Sequence, residues 1–442
     1  MDSITIPIPD GVTGLQALRA LIRERHPLAA LQVFHSALGD IFRINLPGFS
    51  PVVLVGPEAA RFVLVQERGN FLWRNETDPV TDLLRHGVLV EDGEEHDQLR
   101  HIMNPALHRR MLAEYVSEMH RCVEKISSQW DDGQIVDMLV EMRKIALFVL
   151  MQTLYRVDFT PHLKPLWEAI LGCIRYISPG VWMIWRGVPR PGYRNAIHQV
   201  DTFLYRIIKE RRDMMFPEDQ PSDMLGLLIQ SGLDDGLIRD QLLTMLIAGH
   251  DTVTALMAWT MFLLGKHKDV LEQVQRDNAS IFDSDVPVGV DSLNRLEYLG
   301  DVIKESLRLY PPIHLGARIT AQELEFKGFR IPAGVRVIYS IYLTQRDPAH
   351  WSEPDRFTPG RYQGGEKAQP YVWLAFGGGP RNCIGAAFGQ LEAKMVIAYL
   401  LAHFDFELVE RHVTPFMGAT LEPHPGVRMR IWRKTAFRSN LG

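Results

Sequence analysis

The chain has 442 residues, 46% of them hydrophobic and 23% charged, the balance of a globular protein with a large core. Its formal net charge of −5 is mild, and nothing in the overall balance points to nucleic acid or an anionic membrane as partner. Three cysteines, Cys122, Cys173 and Cys383, form no even framework and carry no CxxC or zinc spacing, which points to a reducing compartment and against disulfides.

Met1–Leu18 has no basic segment followed by an apolar core, so a signal peptide or membrane anchor is not expected and a cytoplasmic location is. Asp40–Val55 alternates as strands do and breaks at Pro47-Gly48. Apolar periodicity predicts helices over Leu112–Trp130, Ile135–Val157, Ala196–Met214, Leu237–Leu264, Leu296–Tyr310 and Ala386–Phe404. Leu324–Leu343 holds β-rich pieces around Lys327-Gly328 and Pro332-Ala333-Gly334, and Phe404–Trp432 is again strand-like. Within Leu242–Leu264 the ionisable residues are His250 and Asp251; the run is long enough to cross a bilayer, but two such groups at its centre are costly there. A helix buried through a soluble protein is the expectation. Length alone suggests about three domains. No repeat, low-complexity run or linker divides the chain, however, so one domain over residues 1–442 is expected, mainly α with small peripheral sheets (α+β).

The sharpest local feature is Phe376-Gly377-Gly378-Gly379-Pro380-Arg381-Asn382-Cys383-Ile384-Gly385. Its glycines permit φ > 0 and the close approach of a flat ligand, and the proline stiffens the loop. Cys383 stands just before an apolar helix that starts near Gly385, whose N-terminal N–H groups favour a thiolate, the metal-binding form of cysteine. Phe376 can cover the sulfur, and Arg381 can reach an anionic group on the ligand's edge. The lysine of a phosphate loop is missing. Cys122 and Cys173 read as small buried residues.

This block resembles the haem-binding loop of the cytochrome P-450 family, with Phe376, Gly379, Arg381, Cys383 and Gly385 at the family's fixed positions. The resemblance extends over nearly the whole chain. It implies the cytochrome P-450 fold, with haem b between the long central helix and the helix after the cysteine loop, and with Cys383 as the iron ligand. A thiolate there favours O–O cleavage. Four further motifs follow the family's order. Ala248-Gly249-His250-Asp251-Thr252 is similar to the oxygen-activating segment: Ala248 and Gly249 would line the haem, Thr252 would supply the hydrogen-bonding alcohol and Asp251 would relay protons. Read without the family, Thr252 bonds back to a helix carbonyl, whereas a carboxylate inside an apolar helix has no easy structural explanation. Glu305 and Arg308 share a helix face, and Arg356 of Pro354-Asp355-Arg356-Phe357 resembles the third member of the family's Glu-Arg-Arg cluster. His96 and Arg100 lie four apart; with Arg318 and Arg381 they match propionate partners, and Gly377 belongs to the same haem cradle.

The implied reaction inserts one atom of O₂ into a C–H or C=C bond. Its two electrons would come from NAD(P)H through a separate ferredoxin- or flavodoxin-type partner, since no flavin or iron–sulfur spacing follows Cys383. Arg100, His101, His108, Arg109 and Arg110 form a basic cluster suited to an acidic donor. Family analogy places Leu83, Leu84, Val88, Ile174, Trp182, Met245, Ile313, Leu315 and Met417 in the substrate pocket; their apolar character suits a fatty acid, terpenoid, retinoid or steroid-like ligand. The Arg381-Asn382-Cys383-Ile384-Gly385 variant resembles the long-chain and terpenoid branch, retinoid hydroxylases included. Trp182 and Trp185 form an apolar patch suited to a substrate lid or to membrane contact. Two rivals stand beside this reading: a haem-thiolate peroxygenase or isomerase, which would ordinarily lose the Asp-Thr pair, and a non-catalytic sensor or electron carrier, which would want a second protein ligand such as His250.

Overall fold

The apolar run at Leu242–Leu264 forms the middle of a 32-residue helix, Asp235–Lys266. Asp234 caps it by accepting from the Leu237 N–H, and Lys266 in the last turn complements the helix dipole. By length and composition this helix could cross a membrane, but its apolar window is mostly buried inside the molecule. The computed structural model describes residues 5–180, 190–216, 220–282, 288–363 and 369–434.

Helices Met138–Leu154, Arg194–Met214, Glu297–Leu309 and Ala386–His403 pack against this central helix. Their buried residues belong to one continuous apolar core. Small sheets lie apart from it. The largest has five strands in the order Ile41–Arg43, Val52–Leu54, Arg336–Ser340, Leu315–Thr320 and Phe71–Leu72, and it organises two apolar clusters of its own. Ile135–Asp137, Arg428–Arg433 and Phe404–Leu408 form a second. Two hairpins complete the β structure: Leu324–Phe326 with Phe329–Ile331, and Thr414–Met417 with Leu421–His424. The second hairpin matters for the site. Leu421 donates its N–H to the Pro312 carbonyl at 2.9 Å and accepts from the Trp259 indole at 2.7 Å, which pins the strand to the central helix.

The helix expected from Ile135 begins at Met138 instead, because Ile135–Asp137 pairs with Arg428–Arg430 and Asp137 then turns to cap the helix. The end of the β-rich stretch Leu324–Leu343 departs from that expectation, since Ile341–Thr344 is a helical turn capped by Ser340. Helices Gly11–Glu24, Leu163–Ile177 and Lys268–Phe282 escape the periodicity reading. Gly11 and Gly14 weaken the pattern of the first, and Pro165 and Gly172 that of the second, although a proline in the first turn is tolerated.

Candidate active site

The cysteine loop is closed by its backbone. Cys383 donates its N–H to the Phe376 carbonyl at 2.9 Å, and Gly389 donates to Gly385 at 2.9 Å as the following helix starts. Gly377 and Gly379 have φ of 70° and 66°, the left-handed region that glycine enters without strain. A side chain at Gly379 would also collide with the Leu64 carbonyl oxygen, so that glycine is required twice over. The Cys383 sulfur lies deep among other groups yet has an open side: the residue is exposed by surface area, while the surrounding protein pushes its thiol pKa up. The Gly385 N–H and the Arg100 charge oppose that push. Arg100 is fixed by the loop itself, donating to the Asn382 carbonyl at 2.7 Å and to its side-chain oxygen at 2.9 Å. It is therefore not part of a free basic patch, whereas His101, His108 and Arg110 are exposed. The side chain of Arg109 lies outside the described set.

His96, Arg318 and Arg381 gather beside this loop. Burial and the neighbouring Arg318 charge depress Arg381 to about 10, and burial and Arg381 depress His96. Arg381 donates to Asp92 at 2.7 Å, and Asp92 also accepts the Trp73 and Arg74 N–H groups, each at 2.9 Å. Arg318 stands over Trp73 and Tyr339, at 5.5 and 5.7 Å from the ring centroids. Asp92 is the hub that the sequence reading missed, being one of several acids in an acidic stretch. Two neighbouring guanidiniums, one of which depresses the other, with one carboxylate nearby, are a donor set matched to further anionic groups.

Across Leu242–Leu264 every residue is buried except Ala248, Gly249 and Thr252. Those three share a helix face by their spacing. Thr252 donates its hydroxyl to the Ala248 carbonyl at 2.7 Å, the ordinary back-bond of a helical threonine, and its oxygen retains lone pairs for accepting. Asp251 and His250 turn inward and are buried. The Asp251 carboxylate accepts from Arg143 at 3.1 Å and from the Thr420 hydroxyl at 2.8 Å, and Arg143 also donates to Glu422. None of Arg143, Thr420 and Glu422 was singled out by sequence. Burial lowers the His250 pKa to about 4, so the ring is neutral. Among the described residues, neither ring nitrogen has a well-formed hydrogen bond.

The Glu-Arg-Arg assignment needs correction. Glu305 and Arg308 pair as expected, at 2.8 and 2.9 Å, and both are fully buried. The third member is Arg361, whose Nε donates to Glu305 at 3.0 Å. Arg356 points away, is 67% exposed and pairs with Glu353 at 3.1 Å; only its backbone carbonyl joins the cluster, accepting from Arg308. The sequence offers Pro-x-Arg-aromatic twice within a few residues, at Pro354–Phe357 and Pro359–Tyr362. The second copy forms the tight turn that packs on helix Glu297–Leu309, and Tyr362 donates to Glu305 at 3.1 Å.

Of the pocket candidates, Leu83, Leu84, Val88, Ile174 and Met245 are buried in the main core cluster. The loop carrying the first three is held onto the central helix: His86 N–H donates to Asp240 at 3.1 Å and Val88 N–H to Gln241 at 2.7 Å. A side chain at Gly87 would collide with Thr244. Leu315 and Met417 pack at the edge of a sheet cluster, and Ile313 is 42% exposed. Trp182 and Trp185 lie outside the described residues.

A haem fits this donor set: a cysteine whose sulfur has an open side, a glycine cradle that a side chain would fill, and paired guanidiniums seeking anions. The family model of Cytochrome P450 matches residues 8–426. Among curated relatives, the cyclooctat-9-en-7-ol 5-monooxygenase of Streptomyces melanosporofaciens is 29% identical, covering 90% of this chain and 87% of its own. The pentalenene oxygenase of Streptomyces avermitilis is 28% identical, with 95% of both chains covered. Among solved structures, retinoic acid-bound cyanobacterial CYP120A1 superposes with a TM-score of 0.84 at 26% identity, over 98% of this chain and 100% of that one. Fold, cysteine loop and family model agree, and the chain belongs to the cytochrome P450 family. Its activity is that of a cytochrome P450 monooxygenase, an oxidoreductase with haem as cofactor and O₂ as co-substrate.

Proposed function

We propose that this enzyme hydroxylates or epoxidises a hydrophobic small molecule of terpenoid or retinoid type, with fatty acids and steroids as the wider class. The observation that carries the reading is the interruption of burial at Ala248, Gly249 and Thr252 in an otherwise buried helix, with Asp251 held behind them. Two curated relatives are named for oxidising cyclooctat-9-en-7-ol and pentalenene, and a similar solved structure is titled as binding retinoic acid. Both facts favour polycyclic or polyene hydrocarbon skeletons for this chain. The apolar candidates Leu83, Leu84, Val88, Ile174, Met245, Ile313, Leu315 and Met417 would bind such a skeleton through area removed from water; Trp182 joins them by analogy alone.

When bound, haem b supplies the activation of O₂. The chain's own groups have distinct tasks. Cys383 would bind the iron as thiolate, steadied by the Gly385 N–H and Arg100. His96, Arg100, Arg318 and Arg381 would hold the propionates, and Phe376 and Gly377 would shape the cradle for the haem. Gly249 allows the central helix to pack closely on Leu150, which a Cβ would meet at 3.1 Å, and its lack of a side chain would leave room for the haem. Thr252, its own O–H committed to Ala248, presents its oxygen as a hydrogen-bond acceptor. Asp251 holds and delivers the proton at a carboxylate oxygen. Electrons reach the site from NAD(P)H through a separate ferredoxin- or flavodoxin-type donor, for which His101, His108 and Arg110 offer charge steering. The working unit is a single domain over residues 1–442, acting in the cytoplasm.

The peroxygenase and isomerase reading is disfavoured by the retained Asp251-Thr252 pair. The carrier reading is disfavoured by His250, which is buried away from the face that Gly249 and Thr252 share. The test is to titrate the ferric holoprotein with terpenes, retinoids, fatty acids and steroids while following the haem absorption band. A saturable shift from low to high spin with terpenes or retinoids is expected. A shift with none of the four classes contradicts the apolar pocket.

A further inference from the structure

Asp251 is half of a pair. Glu422, on the strand Leu421–His424, reaches the same guanidinium: Arg143 Nη2 donates to Asp251 Oδ1 at 3.1 Å and to Glu422 Oε1. The chain is pinned over the central helix just before Glu422, at Leu421 by Pro312 and Trp259, and at the preceding Thr420 by the 2.8 Å bond to Asp251 Oδ2. The three side chains lead inward from solvent. Glu422 is 19% exposed, Arg143 9% and Asp251 2%.

We propose that Glu422 and Asp251 form a two-carboxyl proton relay, with Glu422 the outer member that exchanges with water and Asp251 the inner member that serves the reaction, Arg143 clamping both. The proposal rests on the role given to Asp251 above and adds the residue that feeds it.

The charge balance requires such a device. One guanidinium faces two carboxylates, and two like charges in one buried site do not both ionise freely. The arginine stays protonated and cannot carry the proton itself. The proton therefore belongs to the carboxyl pair. In keeping with that, Glu422 is pushed up to about 7, first by burial and then by the charge of Asp251, with which it also shares a hydrogen bond. The other groups around it do not compete. His250, beside Asp251 on the central helix, is neutral; Glu141 and Lys144 on the helix of Arg143 pair with each other at 2.7 Å; His424, two residues along the strand, is exposed and lies tilted against the Phe416 ring. In the transfer the Glu422 O–H bond breaks and an Asp251 O–H bond forms, after which the Glu422 carboxylate takes a proton from bulk water. No electrons move.

The test uses the holoenzyme with its electron donors and two independent readouts. In the wild type, infrared difference spectra across the neutral range should show a protonated buried carboxyl that ionises near pH 7, and Glu422→Gln should abolish that band. Product formed per NAD(P)H should fall in Glu422→Gln by about tenfold, less than the roughly hundredfold or more of a direct general acid because Asp251 remains in place, and lose its pH dependence near neutrality. Glu422→Asp should restore part of that dependence, which a merely structural role would not. Asp251→Asn, which removes the repulsion but keeps Glu422, should bring the titration of the remaining carboxyl down toward the ordinary glutamate range. A band that survives Glu422→Gln, a titration unmoved by Asp251→Asn, or an unchanged pH profile overturns the relay. If Asp251→Asn and Thr252→Ala leave product yield unchanged as well, the reading of the site itself has failed and not only the part assigned to Glu422.

Discussion

Two buried clusters use the same side chains in opposite proportion. In one, the single carboxylate of Glu305 takes donors from Arg308, Arg361, Tyr362 and the Thr358 N–H, at 2.8 to 3.1 Å, so both its oxygens are saturated. In the other, Arg143 is the one cation serving Asp251 and Glu422, with the Thr420 hydroxyl as Asp251's further donor, and among the described residues the Arg143 Nε and the ring nitrogens of the adjacent His250 have no well-formed hydrogen bond. The first cluster has a surplus of positive charge and no proton to give. The second has a surplus of negative charge that only a proton can balance. A saturated network fixes geometry, and an undersaturated one is free to titrate.

Breaking the saturated cluster should have the largest effect. Glu305→Ala leaves two buried guanidiniums unpaired and should cost about 3–5 kcal/mol of stability, the usual penalty for breaking a buried pair from one side. Chemical denaturation monitored by circular dichroism checks this. The loss should be independent of pH near neutrality. Arg143→Met should also destabilise, but its defect should shrink as the pH is lowered, because Glu422 can then take up a proton; thermal unfolding across pH distinguishes the two. A pH-independent defect would equate the clusters and remove the contrast.

The intact protein carries a milder signature of the same kind. Glu422 has a folded-state pKa near 7, above its ordinary value of 4.5. Its contribution to stability is fully present below that ordinary value, declines as the pH rises, and is gone once the pH passes about 7. Relative to Glu422→Gln, the wild type should therefore lose stability between mildly acidic and neutral pH, as read by denaturant midpoints. Thr252→Ala removes one back-bond and should cost about 1 kcal/mol or less, yet product per NAD(P)H should drop with more peroxide released; unchanged yield would contradict the role of that hydroxyl. Smallest of all, Arg356→Ala removes an exposed pair with Glu353 and should change stability by about 0.5 kcal/mol or less. Arg361→Ala beside it should cost several-fold more.

That last contrast also marks how far the sequence could be read. The cysteine loop was legible because its chemistry is contiguous: ten residues contain the glycines, the thiol and the start of a helix. Glu305 and Arg308 were legible because helical spacing is local. Arg361 was not, since Pro-x-Arg-aromatic occurs twice and only packing against helix Glu297–Leu309 selects the second copy. Arg143 and Glu422 were beyond reach for a different reason. Arg143 meets Asp251 from 108 residues away and Glu422 from 279, and no local pattern encodes either contact. A lone arginine within the apolar helix Met138–Leu154 was the available hint, because a charge buried there needs an opposite one. The main helices were found by periodicity, whereas the strand at Ile135–Asp137 was absorbed into its helix because its pairing partner lies near the other end of the chain.

The account stands on Cys383 as the thiolate ligand. The direct measurement is the carbon monoxide difference spectrum of the reduced holoprotein, compared between the wild type and Cys383→Ser. The account predicts the strongly red-shifted band of a thiolate-ligated haem in the wild type and its loss in the variant. A wild type without that band, or a variant that keeps it, would contradict the assignment of the site.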